Sequence, residues 1–248
     1  MTRTLWLFAV LVWIAGCAST PPAAPRVSSA QPTTPRVSSA TTLEGAGLVD
    51  VRSLVPDLDV DMRYAGANNF TGAVVDGYEA PRCYLLRPAA EALATVERNL
   101  RERHMRLRIY DCYRPVRAVK RFVAWTQAPE DGRTKAEYYP GFERSTLLGD
   151  YIAPTSGHSR AATVDLGLLQ CDAQGAACTA IDMGTHFDFF DTLANTDSPK
   201  ATEAQRTNRH VLVDAMQQGG FRNYPMEWWH YTLDPEPTPS VMYDVPVR

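Results

Sequence analysis

The sequence has no Cys-x-x-Cys pair among its five cysteines, so a cysteine-held zinc site is not expected. It has no apolar run long enough to cross a bilayer as a helix; Leu5 to Trp13 is the longest candidate and falls well short. It has no surplus of positive charge either: the net charge is −3, which gives no reason to expect a nucleic acid or an anionic surface as partner. The arginine-rich piece Arg98 to Arg108 is interleaved with Glu97 and Glu102, the pattern of a solvated helix face. What is present is ordinary globular composition. With 248 residues, 45% hydrophobic and 21% charged, the chain can bury the core of one good-sized domain.

Three zones follow in order. Residues 1–17 carry Arg3, then an apolar core, then Ile14-Ala15-Gly16-Cys17, the layout of an export signal. Its end resembles the bacterial lipobox, in which Cys17 becomes the lipid-modified N-terminus. Ala18 after it, in terms of that resemblance, points to the outer membrane of a Gram-negative cell, facing the periplasm. Acyl chains would anchor the protein without spanning the bilayer. Residues 18–46 read as a tether rich in Pro, Ser, Thr and Ala, in which Pro25-Arg26-Val27-Ser28-Ser29-Ala30 recurs as residues 35–40. As a coil it would reach about 28 Å. Residues 47–248 are the folded domain. The four cysteines left in an exported chain, Cys83, Cys112, Cys171 and Cys178, suggest two disulfides out of three possible connectivities. Cys83–Cys112 with Cys171–Cys178 is the preferred pairing, and four free thiols are the alternative.

Within the domain, Asp57 to Met62 and Leu107 to Asp111 alternate as half-buried strands do, and Val164 to Leu169 reads as a core strand. Helical spacing runs over Ala89 to His104, from Pro115 to about Trp125, and from Pro199 to Gln218. Trp228 to Leu233 reads as the last strand, before a proline-rich tail. Long helices among short strands make the class α+β, in one domain.

The chemistry concentrates in two stretches. His158 and Asp165 stand seven residues apart with small residues between them. Extended, that step would separate them by roughly 23 Å, yet ligands of one ion lie about 2 Å from it. If both bind one metal, the segment between must fold back. Glu227 and His230 are three apart, and on a regular strand they would face opposite ways. They converge if Glu227 sits on a turn leaving Pro225 with His230 inside the strand. His158, Asp165 and His230 then supply the three protein ligands of a catalytic zinc. Glu227 would be the base that takes a proton from water, and Arg114, before Pro115, a cation for the oxyanion. Taken singly, each has a commoner structural reading: core histidine, surface arginine, exposed glutamate. His104, His186 and His210 fall in helical or loop contexts and are read as structural.

Together the residues carry a resemblance. Ser156-Gly157-His158 with Asp165, Tyr113-Arg114-Pro115 and Glu227-Trp228-Trp229-His230-Tyr231 resemble the D-alanyl-D-alanine dipeptidases, zinc enzymes of the hedgehog-like D,D-peptidase group. Asp61 to Ala65, Asn69 to Gly72, Asp76 to Tyr78, and Asp182-Met183-Gly184 followed by Phe187-Asp188 support it, over residues 48–235. The resemblance implies a small antiparallel sheet carrying one zinc per subunit, flanked by helices, and hydrolysis of D-Ala-D-Ala in cell-wall turnover or D-alanine recovery. It implies Asp188 as partner of the substrate ammonium, with Ser156, Tyr64 and Tyr78 lining the dipeptide pocket. No protein partner is implied. Two positions depart from the family, which has Gly and Ala where Ala161 and Thr163 stand; Ala161 removes the positive-φ freedom of glycine. The rival readings are a D,D- or L,D-carboxypeptidase acting on peptidoglycan stems and a non-catalytic zinc-bearing module. Glu227 and Arg114 argue against the second.

Overall fold

The computed structural model describes residues 35–248. The expected export signal, with Cys17, and most of the expected tether lie outside the described residues. Ten strands and four α-helices are labelled in chain order. The strands are β1 (Arg36–Val37), β2 (Leu48–Asp50), β3 (Asp59–Val60), β4 (Tyr84–Leu86), β5 (Met105–Asp111), β6 (Thr163–Cys171), β7 (Cys178–Ala180), β8 (Phe221–Asn223), β9 (His230–Leu233) and β10 (Val241–Met242). The helices are α1 (Arg87–Arg101), α2 (Val116–Gln127), α3 (Lys135–Tyr138) and α4 (Glu203–Gln218).

The central sheet runs β3-β5-β6-β9-β8, and β7 pairs with the far end of β6. All its pairings are antiparallel except β3 with β5. Strand β6 is buried at every position but Gln170, because neighbouring elements cover it on both faces and β5, β7 and β9 flank it. That is why it reads as a continuous apolar run rather than an alternating one. Helix α1 lies against β5 and α4, and α4 against β8. Leu93, Val96 and Leu100 of α1 are fully buried, as their spacing requires.

Element ends differ from the sequence reading for local reasons. Helix α1 stops at Arg101 rather than His104, since His104 takes a left-handed backbone (φ 55°) to turn into β5. Helix α4 starts at Glu203, four residues after Pro199, where Thr202 and Gln205 form a reciprocal capping box. The run Asp57 to Met62 pairs only at Asp59–Val60. Trp228 and Trp229 precede β9 in a turn, and β9 is not the last strand.

The expected tether is shorter than residues 18–46. Arg36 and Val37 pair in parallel with Val241 and Met242, and Ala46 is buried in the turn that leads to β2. Backbone hydrogen bonds make that pairing, so it needs no core-forming side chain and leaves no trace in composition. The proline-rich tail is a strap rather than a loose end. The Tyr243 N–H donates to the Ser159 carbonyl, the Val116 N–H donates to the Tyr243 carbonyl, and Val245 and Val247 are buried. Both disulfides form as preferred. Cys83–Cys112 joins the approach to β4 with the exit of β5, and Cys171–Cys178 closes the β6–β7 hairpin.

Candidate metal centre and active site

Sheet register sets the centre. Asp165 on β6 is paired with Asp111 on β5 to one side and with His230 on β9 to the other. The pairing with Asp111 depends on an irregularity in β5. Ile109 opposes Leu166 but Asp111, not Tyr110, opposes Asp165, so one residue is extra on β5. Such a bulge re-aims the next side chain. Cross-strand partners lie about 5 Å apart on one face, and the row Asp111–Asp165–His230 follows.

His158 comes from outside the sheet. The segment folds back as expected, through a 3-10 turn over Gly157–Arg160 that the Ser156 hydroxyl caps by accepting the His158 N–H. The turn ends on Ala161, at φ 59° and ψ 31°. This is the left-handed region, where an alanine is strained by about 1–2 kcal/mol and glycine is not. Ala161 is fully buried and its carbonyl accepts the Leu86 N–H. The surroundings therefore hold it in place despite the strain.

The fold-back brings His158 Nε2 to 3.2 Å from Asp165 Oδ2 and 3.3 Å from His230 Nδ1. His230 Nδ1 stands 2.9 Å from Asp165 Oδ1. One ligand atom from each of the three residues falls within 4.8 Å of the other two. Two observations suit a cation here. The His158 Nδ1–H donates to the Cys112 carbonyl at 2.7 Å, so its Nε2 lone pair faces the cluster, the arrangement that orients zinc-binding imidazoles. Asp165 Oδ1 is buried and accepts no well-directed hydrogen bond. Two histidine nitrogens and a carboxylate are the donor set of a three-ligand zinc site. Burial opposes the charge on Asp165, yet His158 and His230 hold its carboxyl below the usual range.

Around this cluster lies a cavity of about 280 Å³, small beside the usual 300–1,000 Å³ of sites for drug-sized ligands. Tyr64, Arg114, Ser156, Asp188 and Glu227 line it together with the three cluster residues. Glu227 sits on the turn after Pro225, as expected: its N–H donates to the Tyr224 carbonyl, and its carboxylate comes within 3.5 Å of His230 Nδ1. Burial pushes the Glu227 carboxyl up to about 7, and Asp165 pushes the same way. Arg114 reaches Asp165 Oδ2 at 3.5 Å and donates from Nε to Asp111 Oδ2 at 2.9 Å. Its guanidinium also lies 5.1 Å from both the Tyr64 and Phe122 ring centres, so packing fixes it.

Asp188 is buried, in a left-handed backbone (φ 61°), and accepts the Tyr64 hydroxyl at 2.8 Å. Burial, reinforced by Asp165, pushes its carboxyl well above the ordinary range. Tyr78 is the one predicted pocket residue that does not line the cavity. It sits behind, donating to Asp111 Oδ1 at 2.6 Å, and so holds the carboxylate that holds Arg114. Asp111 has no site role in the sequence reading, which places it only at the end of a strand. Its only signal was a charged residue closing an alternating strand, which a surface strand end shows equally well. Tyr151, Phe190 and Tyr224 also line the cavity without a motif of their own.

A family model, peptidase M15, described as D-ala-D-ala dipeptidase, matches residues 44–248. The chain belongs to that family. It is similar to a D-alanyl-D-alanine dipeptidase of Streptomyces coelicolor, 40% identical over 79% of this chain and 96% of the relative. Another of the same name, from Enterococcus faecium, is 35% identical over 82% and 98%. A third, from Escherichia coli, is 32% identical over 75% and 84%. Peptidase M15 enzymes are zinc-dependent in general, and the His-Asp-His cluster is where this chain offers the ligands.

Two outcomes follow from the geometry. Ala161→Gly should change stability by less than about 1 kcal/mol, released strain offsetting lost side-chain burial and added chain entropy. Ala161→Val, β-branched at positive φ, should cost at least about 2 kcal/mol and lower bound zinc. Denaturant titration with metal analysis checks both; a tolerated valine would mean the turn is not left-handed. The second concerns pH. A carboxyl raised from 4.5 to about 7 in the folded state favours folding most below its unfolded value. That contribution is lost as the pH rises through about 7. Glu227→Gln should therefore stabilise the metal-free protein at pH 8 by about 1–3 kcal/mol and have little effect at pH 4. An unchanged or lower melting temperature at pH 8 would contradict the raised carboxyl.

Proposed function

We propose that the protein hydrolyses D-alanyl-D-alanine to two molecules of D-alanine, with zinc held by His158, Asp165 and His230. The observation that carries this is the acidic wall that Asp188 gives the cavity. Asp188 is a buried carboxylate with a tyrosine hydroxyl and no cation of its own within ion-pair distance among the described residues. A free ammonium group fits that deficit, and Asp188 lines the same small cavity as the metal cluster. A dipeptide carries its free ammonium next to the scissile bond, whereas a longer stem has an uncharged amide there and would leave Asp188 unpaired.

When bound, zinc lowers the pKa of a water and polarises the scissile carbonyl. The protein's side chains do the rest. Glu227, on a turn fixed at both ends by main-chain hydrogen bonds, takes the water proton and can hand it to the departing amine. Its raised pKa suits both steps. Arg114 faces the developing oxyanion, and its position is preset by Asp111, Tyr64 and Phe122 rather than acquired on binding. Asp188 and Tyr64 orient the substrate by its ammonium. Ser156 lines the cavity beside His158, although its hydroxyl already caps the His158 turn.

We also propose that Cys17 carries a lipid anchor that holds the enzyme at the outer membrane, facing the periplasm. Arg3, the apolar run from Leu5 to Trp13 and Ala15-Gly16-Cys17 support this reading. D-Alanine recovery or cell-wall turnover is the role that suits that place.

Zinc-loaded protein lacking residues 1–17 should release D-alanine from the dipeptide and lose the activity on chelation. Glu227→Ala should lower kcat by about 10²–10⁴, and Arg114→Ala by about 10²–10³. Release from a stem pentapeptide but not from the dipeptide would replace the reading with a carboxypeptidase. For the anchor, Cys17→Ser should move the protein from the membrane to the soluble fraction of expressing cells; equal membrane retention would sink the lipid reading.

A further inference from the structure

The motif Asp182-Met183-Gly184 has no part in the chemistry above, and its surroundings explain why it is there. Opposite it, α4 presents Gln205, Asn208 and Arg209, at spacings that share one helix face. Gln205 donates to the Asp182 carboxylate at 3.0 Å and Asn208 to the Asp182 carbonyl at 2.8 Å. Arg209 is wholly buried, and its hydrogen bonds all go to main-chain carbonyls. Nε and Nη2 donate to Met183, at 2.8 and 2.5 Å, and Nη1 donates to Asn195 at 2.6 Å. Gly184 makes room for this. It has φ 85°, and a Cβ there would stand 2.8 Å from Gln205 Oε1 and 3.1 Å from Arg209 Nη2.

Met183 and Asn195 are the two ends of the loop that carries Asp188 and Phe190 into the cavity. The loop has only a short 3-10 turn of its own, at Thr192–Ala194. It also bears on the catalytic turn, since the Trp228 N–H donates to the Ala194 carbonyl at 3.0 Å and Trp228 Nε1 donates to Thr185 at 2.8 Å. A single planar guanidinium can span both loop ends because its donors diverge in a fixed fork; an ammonium is a point donor and cannot.

We propose that Arg209 is a positioning residue: it fastens both ends of the 183–195 loop and so sets Asp188 for the substrate ammonium. This rests on the reading of Asp188 given above.

The test is a double-mutant cycle on the zinc-loaded protein with D-Ala-D-Ala. Asp188→Asn alone should raise KM, and if it does not, the ammonium reading falls, independently of Arg209. Arg209→Lys should raise KM about tenfold, the loss of one charge-assisted contact's worth of orientation, with kcat changed less than about threefold. In the Asp188→Asn background the same change should raise KM less than about twofold. Exchange of the Phe190 and Ala194 amides should speed at least about tenfold in Arg209→Lys while β6 amides stay protected. Equal KM effects in both backgrounds, a fall in kcat without a rise in KM, or unchanged loop exchange would each overturn the proposal. If Arg209→Lys does not fold, Asn208→Ala on the same face carries the test, with a two- to threefold KM rise expected to vanish in Asp188→Asn.

Discussion

Asp165 is the constraint on which the rest of the site depends. It is a carboxylate almost wholly removed from water, on a strand buried at every position but Gln170. Such a charge is tolerable only if its surroundings supply compensating charge and hydrogen bonds. His158, His230 and Arg114 converge on it from three separate parts of the chain, all within 3.5 Å. Each of those groups is itself braced by something that does not touch the reacting atoms. The Cys112 carbonyl holds His158, and sheet pairing holds His230. Asp111 holds Arg114, and Tyr78 holds Asp111.

The bracing is concentrated where the chain is pinned most often. Cys112 contributes its carbonyl to His158 and its sulfur to the bridge with Cys83, and the Tyr113 hydroxyl is bonded at Val245 by the C-terminal strap. The strap also bonds the His158 turn through Ser159. An oxyanion-stabilising cation works only if it is in place before the charge develops. The density of restraint around residues 111–114 meets that requirement for the role proposed for Arg114. Of the three non-glycine residues with a left-handed backbone among those described, Ala161 and Asp188 stand at the site, and the third, His104, turns α1 into β5.

The carboxylates divide the labour by environment. Burial opposes the charge on Asp165 but His158 and His230 hold its carboxyl below the usual range, while burial pushes Glu227 and Asp188 upward. Glu227 thereby sits near neutrality, where a group can both accept and return a proton. Asp188 has a tyrosine and, among the described residues, no cation within ion-pair distance, which suits the ammonium proposed for it.

The sequence by itself determined the α+β class, the three long helices α1, α2 and α4 and the buried β6 strand. Given one metal shared by the ligands, it also determined the fold-back between His158 and Asp165 and Glu227 on a turn beside a strand-borne His230. Those features are local: periodicity, turn residues and the number of bonds between two side chains are all written along the chain. The family resemblance placed Asp188, Ser156 and Tyr64 at the cavity for the same reason, since motifs are local patterns. Only the tertiary structure decided the remainder. The extra residue in β5 that brings Asp111 opposite Asp165 is a matter of register between two strands, and alternation within one strand cannot show it. Tyr78 belongs behind Asp111 rather than in the cavity because the choice between two sides of a buried carboxylate depends on what packs there. The pairing of Arg36–Val37 with Val241–Met242, and the hold of Arg209 on two distant carbonyls, run through main-chain groups that every residue possesses. Such contacts leave no signature in residue type, and they exist only once the chain has closed on itself.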